Sequence, residues 1–198
     1  MAITTKAPAA PTTNELTYDE YMAEPDTEGR YSIINGVKIF MAGASYRHQR
    51  VSKNISKVFD RYEEMTSLGA TVYAPFDVLI RRYPKLQTRQ PDLLFVSHVR
   101  LAQGGGIPVK GPLGAPPELV VEIVSDSETQ RILGDKIADY IAVGVDECWV
   151  VRPNAGTVEV LALKPDGAQS MAVYGAGEEV QSVVFSGLTV SVADVFAP

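Results

Sequence analysis

The sequence predicts an α/β or α+β fold built on one central mixed sheet, and three observations support this. Amphipathic helical segments alternate along the chain with strand-like segments. One of the strand-like segments is almost continuously apolar, as expected for a strand that is covered on both faces. No internal repeat of about 20–50 residues is visible, which argues against a solenoid or propeller. We therefore expect a layered domain with helices flanking a sheet.

The first elements are a short helix, a hairpin and a long helix. Thr17, with an acid three residues later, has the capping-box spacing that begins a helix. Residues 31–41 form two strand-like runs around Asn35-Gly36, a strong hairpin signal. From residue 45 onward, apolar residues recur in steps of three and four, which predicts one amphipathic helix.

The middle of the chain carries the most apolar strand. Residues 71–80 and 93–96 are predicted as strands, and the glycine- and proline-rich residues 103–117 as a loop. Residues 119–124 form the nearly continuous apolar run. A helix is expected over residues 127–143, closed by the glycine at 144.

The remaining elements complete the sheet. A strand is predicted at residues 147–151 and a hairpin at 158–174, with its turn at Pro165-Asp166-Gly167. Residues 188–196 are expected to pack back on the body of the domain. The predicted fold therefore includes added β-hairpins.

Composition limits the class of protein. A chain of 198 residues favours one domain, which we place at residues 15–198 after a flexible tail at 1–14. Cys148 is the single cysteine, so an internal disulfide and a multi-cysteine metal site are excluded. The sequence contains neither an apolar run near the ~20 residues of a membrane span nor a secretory signal. We expect a cytoplasmic protein without membrane contact.

The net charge of −6 argues against a protein that coats nucleic acid through charge alone. It does not exclude an enzyme that binds phosphodiesters through metal ions and a local basic face, because global charge governs encounter and not the chemistry of one cleft.

Three ionisable residues occupy costly positions. Glu122 interrupts the apolar strand, where an ionised carboxylate needs a partner or a metal unless the strand is an edge that turns it outward. Lys136 lies on the flank of a buried helical stripe, where it could also extend its ammonium to water; the neighbouring Asp135 and Asp139 are expected to point toward water. Asp92 begins the strand at 93–96, although Pro-Asp is also a common turn dipeptide.

Together these residues suggest one site. If the two strands pair, Asp92 and Glu122 can converge, and the following helix brings Lys136 beside them. Two carboxylates suit Mg²⁺, which takes hard oxygen ligands and keeps waters that substrate phosphate can replace. A nearby lysine can polarise the attacking water or offset charge on phosphorus.

These residues also carry a resemblance to the Uma2 family (DUF820). The matching segments span nearly the whole chain after the tail. They include Gln90-Pro91-Asp92-Leu93, Pro117-Glu118-Leu119-Val120-Val121-Glu122-Ile123-Val124-Ser125, Asp135-Lys136 with Tyr140, and Gly144-Val145-Asp146-Glu147-Cys148-Trp149-Val150-Val151.

The resemblance implies a restriction-endonuclease-like fold of the PD-(D/E)xK superfamily. It makes Asp92 and Glu122 the metal-binding acids, with the Ile123 carbonyl as a further ligand. Lys136 takes the catalytic role of the lysine that the usual motif places at Val124. The implied cofactor is Mg²⁺ or Mn²⁺, and the implied substrate is nucleic acid, DNA being expected.

The sequence departs from the family pattern in its first hairpin, where Ser32, Asn35 and Val37 stand at positions that are often acids. His48 matches a family position, but a histidine at a helix start is more often a capping or structural residue. The hypothesis is a metal-dependent endonuclease, expected to be a homodimer. The alternatives are a nuclease fold that binds or assembles without cleaving, and a dimeric domain whose buried charges only specify pairing.

Overall fold

The computed structural model describes residues 15–24, 30–41, 43–125 and 128–198. The tail predicted at residues 1–14 lies outside these ranges. Five helices are found in the described residues: α1 Tyr18–Ala23, α2 Tyr46–Thr66, α3 His98–Gln103, α4 Gln130–Val143 and α5 Val192–Val195. The strands in the described residues are β1 Tyr31–Ile34, β2 Val37–Phe40, β3 Gly69–Tyr73, β4 Val78–Arg81, β5 Gln87–Arg89, β6 Leu93–Ser97, β7 Leu119–Ile123, β8 Glu147–Arg152, β9 Thr157–Lys164, β10 Gly167–Tyr174, β11 Glu179–Gln181 and β12 Thr189–Ser191.

The central sheet is mixed, with strand order β10-β9-β8-β7-β6-β3. Strands β7 and β8 run parallel, and the other neighbours in this sheet are antiparallel. A parallel pair needs a crossover connection, and α4 supplies it. The predicted mixed sheet with flanking helices is confirmed.

The two faces of β7 pack against two different hydrophobic clusters. Leu119, Val121 and Ile123 pack with α2 and the C-terminal segment. Val120 packs with α4 on the opposite face. Because side chains alternate along a strand, Glu122 shares the face of Val120. The strand is covered on both sides, as the continuous apolar run predicts, and the outward edge-strand alternative for Glu122 is wrong.

The predicted strand over residues 71–80 is wrong. The segment divides into β3, which pairs with β6 in the central sheet, and β4, which pairs with β5 in a separate small sheet. Pro75 lies between them, and a proline cannot donate to a strand ladder. Two further small sheets join β1 with β2 and β11 with β12.

Local sequence signals place most of the other elements correctly. The capping box of Thr17 is present, and Asn35-Gly36 turns the first hairpin, with positive φ at both residues. Helix α4 begins at Gln130 with Thr129 as its N-cap, later than the predicted start at residue 127, which itself lies outside the described residues. Helix α3 and the short strands β5 and β11 are additions that the sequence patterns did not predict.

Glu147 ties the C-terminal segment to the central sheet. Its carboxylate is fully buried and accepts hydrogen bonds from the Trp149 indole at 2.6 Å and the Ser182 hydroxyl at 2.6 Å. The backbone N–H groups of Val183 and Val184 also donate to it. This single carboxylate therefore accepts hydrogen bonds from four donors.

In the described part of the chain, no helix has both the length and the apolar character that crossing a membrane requires.

We expect Glu147→Ala to lower the free energy of unfolding by about 3 kcal/mol, because several donors lose their acceptor together and each unsatisfied buried group costs roughly 1–3 kcal/mol. Urea denaturation followed by circular dichroism measures the change. Glu179→Ala, exposed on β11, is the matched control and should shift stability by less than about 0.5 kcal/mol. Equal effects of the two changes would contradict the assignment.

Asp77 is a second buried acid, located between β3 and β4. Burial raises the pKa of its carboxyl, and the Tyr21 hydroxyl that donates to it and the positive charge of Lys38 offset part of that rise. An acid with a raised pKa in the folded state holds its proton more tightly there. Its contribution to stability is therefore present below its unfolded pKa and lost as pH rises through the folded value.

We expect Asp77→Asn to become more stable relative to the unmodified protein as pH rises from 3.5 to 7. The asparagine never has to bury a charge, whereas Asp77 does so above its folded pKa. Thermal denaturation across this pH range gives the difference. Asp166→Asn, in the exposed turn between β9 and β10, is the control; the same trend there would refute the explanation.

Candidate active site

The register of the central sheet brings two acids to one place. Strands β6 and β7 are antiparallel and pair Leu93 with Val121, so one step along each strand sets Asp92 opposite Glu122. Directly opposed residues of antiparallel strands lie on the same face. The convergence that the sequence suggested therefore follows from the pairing of these strands.

Asp92 is held by three donors. One carboxylate oxygen contacts Arg30 at 2.8 Å and the Nε2 atom of His48 at 3.3 Å. The other accepts the backbone N–H of Ile123 at 2.8 Å. Burial opposes ionisation of this 5 % exposed carboxyl, but the three donors together hold its pKa below the usual range.

Glu122 is more deeply buried, with 1 % of its side chain exposed. Its carboxylate accepts hydrogen bonds from Lys136 at 2.7 Å and from the Tyr140 hydroxyl. Burial raises the pKa of Glu122, the ammonium of Lys136 opposes the rise, and the negative charge of Asp92 adds to it. The two acids thus sit in unlike environments, one lowered in pKa and one raised.

Lys136 lies between two carboxylates. Its ammonium is 2.7 Å from Glu122 and 2.8 Å from Glu128. Only 12 % of the side chain is exposed, so the alternative of an ammonium extended into water is wrong. Burial lowers the pKa of Lys136, but the two acids outweigh that effect and leave it above the usual value. Helix α4 therefore delivers a buried cation to the acids of the sheet.

Asp139 is a correction to the sequence analysis. The helical spacing predicts that it points toward water, like Asp135 one turn earlier, but it pairs with Arg89 at 2.6 Å and accepts hydrogen bonds from Gln87. Strand β5, which the sequence patterns did not predict, supplies both partners. Asp135 is exposed as expected.

Other residues of the site lacked a sequence signal. Arg30 and Glu128 follow no motif, and each reaches the cluster only through tertiary structure. His48 matches a family position, although its place at a helix start favours a capping or structural role. Its backbone N–H donates to the side chain of Ser45, the N-cap of α2, while its ring approaches Asp92. The backbone and the ring of His48 therefore both make contacts.

A cleft of about 520 Å³ opens beside the cluster. Asp92, Ile123, Glu128 and Lys136 line it, and Glu122 lies beneath this lining. Four Arg or Lys side chains and two carboxylates face the cleft in the described residues. Two of these cations are also paired with acids outside the lining, Lys136 with Glu122 and Arg89 with Asp139, so nearby carboxylates balance the positive charges of the cleft.

The first hairpin occupies one side of this cleft. Ser32, at one of the three positions that are often acidic in the resembled family, is buried and lines the cleft. Asn35 is in the turn, where its side chain accepts from Arg81 at 2.6 Å, and Val37 is exposed. Only the first of the three departures therefore reaches the site.

The donor set suits a hard divalent ion. Among the described residues, no group of three or more His, Cys, Asp or Glu side chains is arranged to hold a metal. Mg²⁺ does not require such a cage, because one or two carboxylates, waters and substrate phosphate complete its shell. Asp92 and Glu122 supply carboxylate oxygens, and Ile123 is adjacent through its contact with Asp92.

Comparison with known proteins addresses the fold and the family. A solved crystal structure from Anabaena variabilis, described as "a putative nuclease belonging to DUF820", is 19 % identical with a TM-score of 0.72. The match covers 91 % of this chain and 97 % of that chain, and it shows a shared fold. None of the curated proteins compared matches the sequence.

The family model named Uma2, with the description "Putative restriction endonuclease", matches residues 18–193. This range includes both acids, the lysine and the whole central sheet. The resemblance noted in the sequence is thereby confirmed, and the chain belongs to the Uma2 family.

Proposed function

We propose that this protein is a divalent-metal-dependent nuclease that hydrolyses phosphodiester bonds, with DNA as the expected substrate. The observation that carries the proposal is the meeting of Asp92, Glu122 and Lys136 beside one cleft. Burying three ionisable groups from two strands and a helix costs free energy. A common role in metal binding and catalysis would explain why they are buried together. The family, with its description "Putative restriction endonuclease", adds support.

In this proposal the acids and the lysine have different tasks. Asp92 and Glu122, with the Ile123 carbonyl, would hold Mg²⁺ or Mn²⁺, and the ion would supply Lewis-acid activation of phosphate and water. The Lys136 ammonium has three N–H donors, and its described contacts are with Glu122 and Glu128. Its remaining donor can orient the attacking water or offset charge on phosphorus.

One cation of the cleft supports a phosphate-containing substrate. The Arg47 guanidinium faces the cleft and contacts the Pro153 carbonyl and the Asn154 side-chain oxygen rather than a carboxylate. A cation placed in this way attracts an anionic ligand even where the whole protein is negatively charged. We also propose a cytoplasmic homodimer, since two copies could act on two strands.

One observation favours a second candidate function, a nuclease fold that binds nucleic acid without cleaving it. All four carboxylate oxygens of Asp92 and Glu122 already have donors from the protein itself. In particular, the Arg30 guanidinium neutralises Asp92 where a metal ion would bind. Catalysis requires the metal to compete with these donors.

We expect purified protein with Mg²⁺ or Mn²⁺ to nick supercoiled DNA, and Asp92→Asn, Glu122→Gln and Lys136→Ala each to reduce the rate at least about 100-fold, as is typical when such a group is removed. Agarose gels quantify nicking. Asp135→Asn, one residue from Lys136 but exposed, should retain the rate. Thermal denaturation of each variant separates lost chemistry from lost folding, and equal activity of Lys136→Ala and the unmodified protein would exclude the site.

We expect calorimetry to detect Mn²⁺ binding that is lost in Asp92→Asn and strengthened in Arg30→Gln, because the glutamine removes the cation competing for the Asp92 carboxylate. Asp135→Asn is again the matched control. Nucleic-acid binding without any metal binding would favour the second candidate function over the first.

A further inference from the structure

Helix α2 carries a line of cations on its outer face. Arg50, Lys53, Lys57 and Arg61 follow one another at intervals of three, four and four residues, which place side chains on the same face of a helix. We call these four residues the basic stripe. The apolar residues of α2 face the core. Lys53, Lys57 and Arg61 are exposed, whereas Arg50 is half-buried and donates to the backbone oxygen of Pro198.

The basic stripe is unfavourable for the helix that carries it. Lys53 and Lys57, and again Lys57 and Arg61, are like charges four residues apart, a spacing that destabilises a helix. The first turn of α2 contains Arg47 and no acid, and a cation at that end opposes the helix dipole. Residues 46–59 include four Arg or Lys and no Asp or Glu. An anionic partner from outside the chain would offset these repulsions.

The protein itself provides little neutralisation of the basic stripe. Among the described residues, no carboxylate lies within ion-pair distance of Lys53, Lys57 or Arg61. The acids of α2 lie in its last two turns, and two of them, Asp60 and Glu63, accept hydrogen bonds from β3. The stripe therefore differs from the cations of the cleft that pair with buried acids.

The basic stripe is continuous with the cleft. Arg47 lines the cleft and lies one helical turn before Arg50. From Arg47 to Arg61 the helix advances by about 21 Å, at about 1.5 Å per residue. Each strand of a DNA duplex carries one phosphate per roughly 3.4 Å of its axis, so this line of cations is as long as about six base pairs. Its charge and length suit a strand that leaves the cleft and continues along α2.

We propose that the basic stripe binds the phosphate backbone of the nucleic acid that flanks the segment in the cleft. This inference rests on the proposed nuclease function and names the surface that holds the substrate outside the cleft. Lysine and arginine contacts to phosphate position a nucleic acid without reading its bases, so binding by the stripe is independent of sequence. A local basic surface can do this in a chain whose net charge is −6.

The test measures how the binding of fluorescent DNA to the full-length protein depends on salt. The probes are a duplex of about 20 base pairs, which exceeds the length of the stripe, and its single strand, with Ca²⁺ at a fixed concentration in place of Mg²⁺ to limit cleavage. Each phosphate contact adds about 0.9 to the slope of log K against log salt concentration for a duplex. Lys53→Gln and Lys57→Gln should each reduce that slope by about 1 and weaken binding about 5-fold to 10-fold near 0.1 M salt, and the double variant should reduce the slope by about 2.

Two further variants control for charge and for position. Lys57→Arg keeps the cation and should keep the slope. Lys164→Gln is the matched control, because Lys164 is an exposed cation at the end of β9, beside the start of β8, whereas the cleft lies beyond the other end of β8. Lys57→Gln removes two like-charge repulsions, so its melting temperature should not fall, and thermal denaturation separates a lost phosphate contact from lost folding.

The outcomes separate this inference from the proposed function. An unchanged slope in the double variant, with the duplex still bound and cleaved in Mg²⁺, would overturn the role of the stripe and leave the nuclease function standing. An equal loss in Lys164→Gln would also overturn it, because general attraction between charges would then explain the binding. Absence of binding and of cleavage with both probes would overturn both proposals. A slope that falls in the variants of Lys53 and Lys57 and not in Lys164→Gln supports the inference, whether or not the DNA is cut.

Discussion

Glu122 places a carboxylate inside a sheet that is covered on both faces, and its contacts with Lys136 and Tyr140 make that position tolerable. Removing one partner of a buried ion pair typically costs about 3–5 kcal/mol, because it leaves an uncompensated charge. The rest of the site is organised around this pair. Asp92 lies opposite Glu122 through the β6–β7 register, and Glu128 contacts the same ammonium from its other side. The packing of α4 on the sheet therefore determines where Lys136 lies relative to the two acids.

Much of this arrangement could be predicted from the sequence, because it depends on local rules. The apolar run around Glu122 predicts a strand covered on both faces, and the helical wheel puts Lys136 beside the stripe containing Tyr140. Together with the motif resemblance, these patterns identify Asp92, Glu122 and Lys136. The structure brings these side chains together, while their catalytic roles stay predictions.

Other parts of the site depend on contacts between distant segments. Arg30 reaches Asp92 from the first hairpin across 62 positions of sequence, and no periodic pattern encodes such a contact. Asp139 has helical spacing typical of a solvated face, yet β5 covers it with Arg89. Strand β5 itself has only three residues, Gln87, Thr88 and Arg89, and is polar throughout. Neither its period nor its composition distinguishes it from a loop.

The parallel pairing of β7 and β8 has one more consequence. A lysine on the same strand as the acid would move rigidly with it, whereas here the acid is on β7 and the amine is on α4, the helix that makes the crossover. Their mutual alignment depends on how Leu133 and Ile137 seat the helix against the sheet. A slight sliding of that helix, caused by a bulkier or smaller side chain beneath it, could disconnect the amine from the acid in a chain that remains fully folded. Such a chain would keep every charged residue and still lack the contact between the amine and the acid.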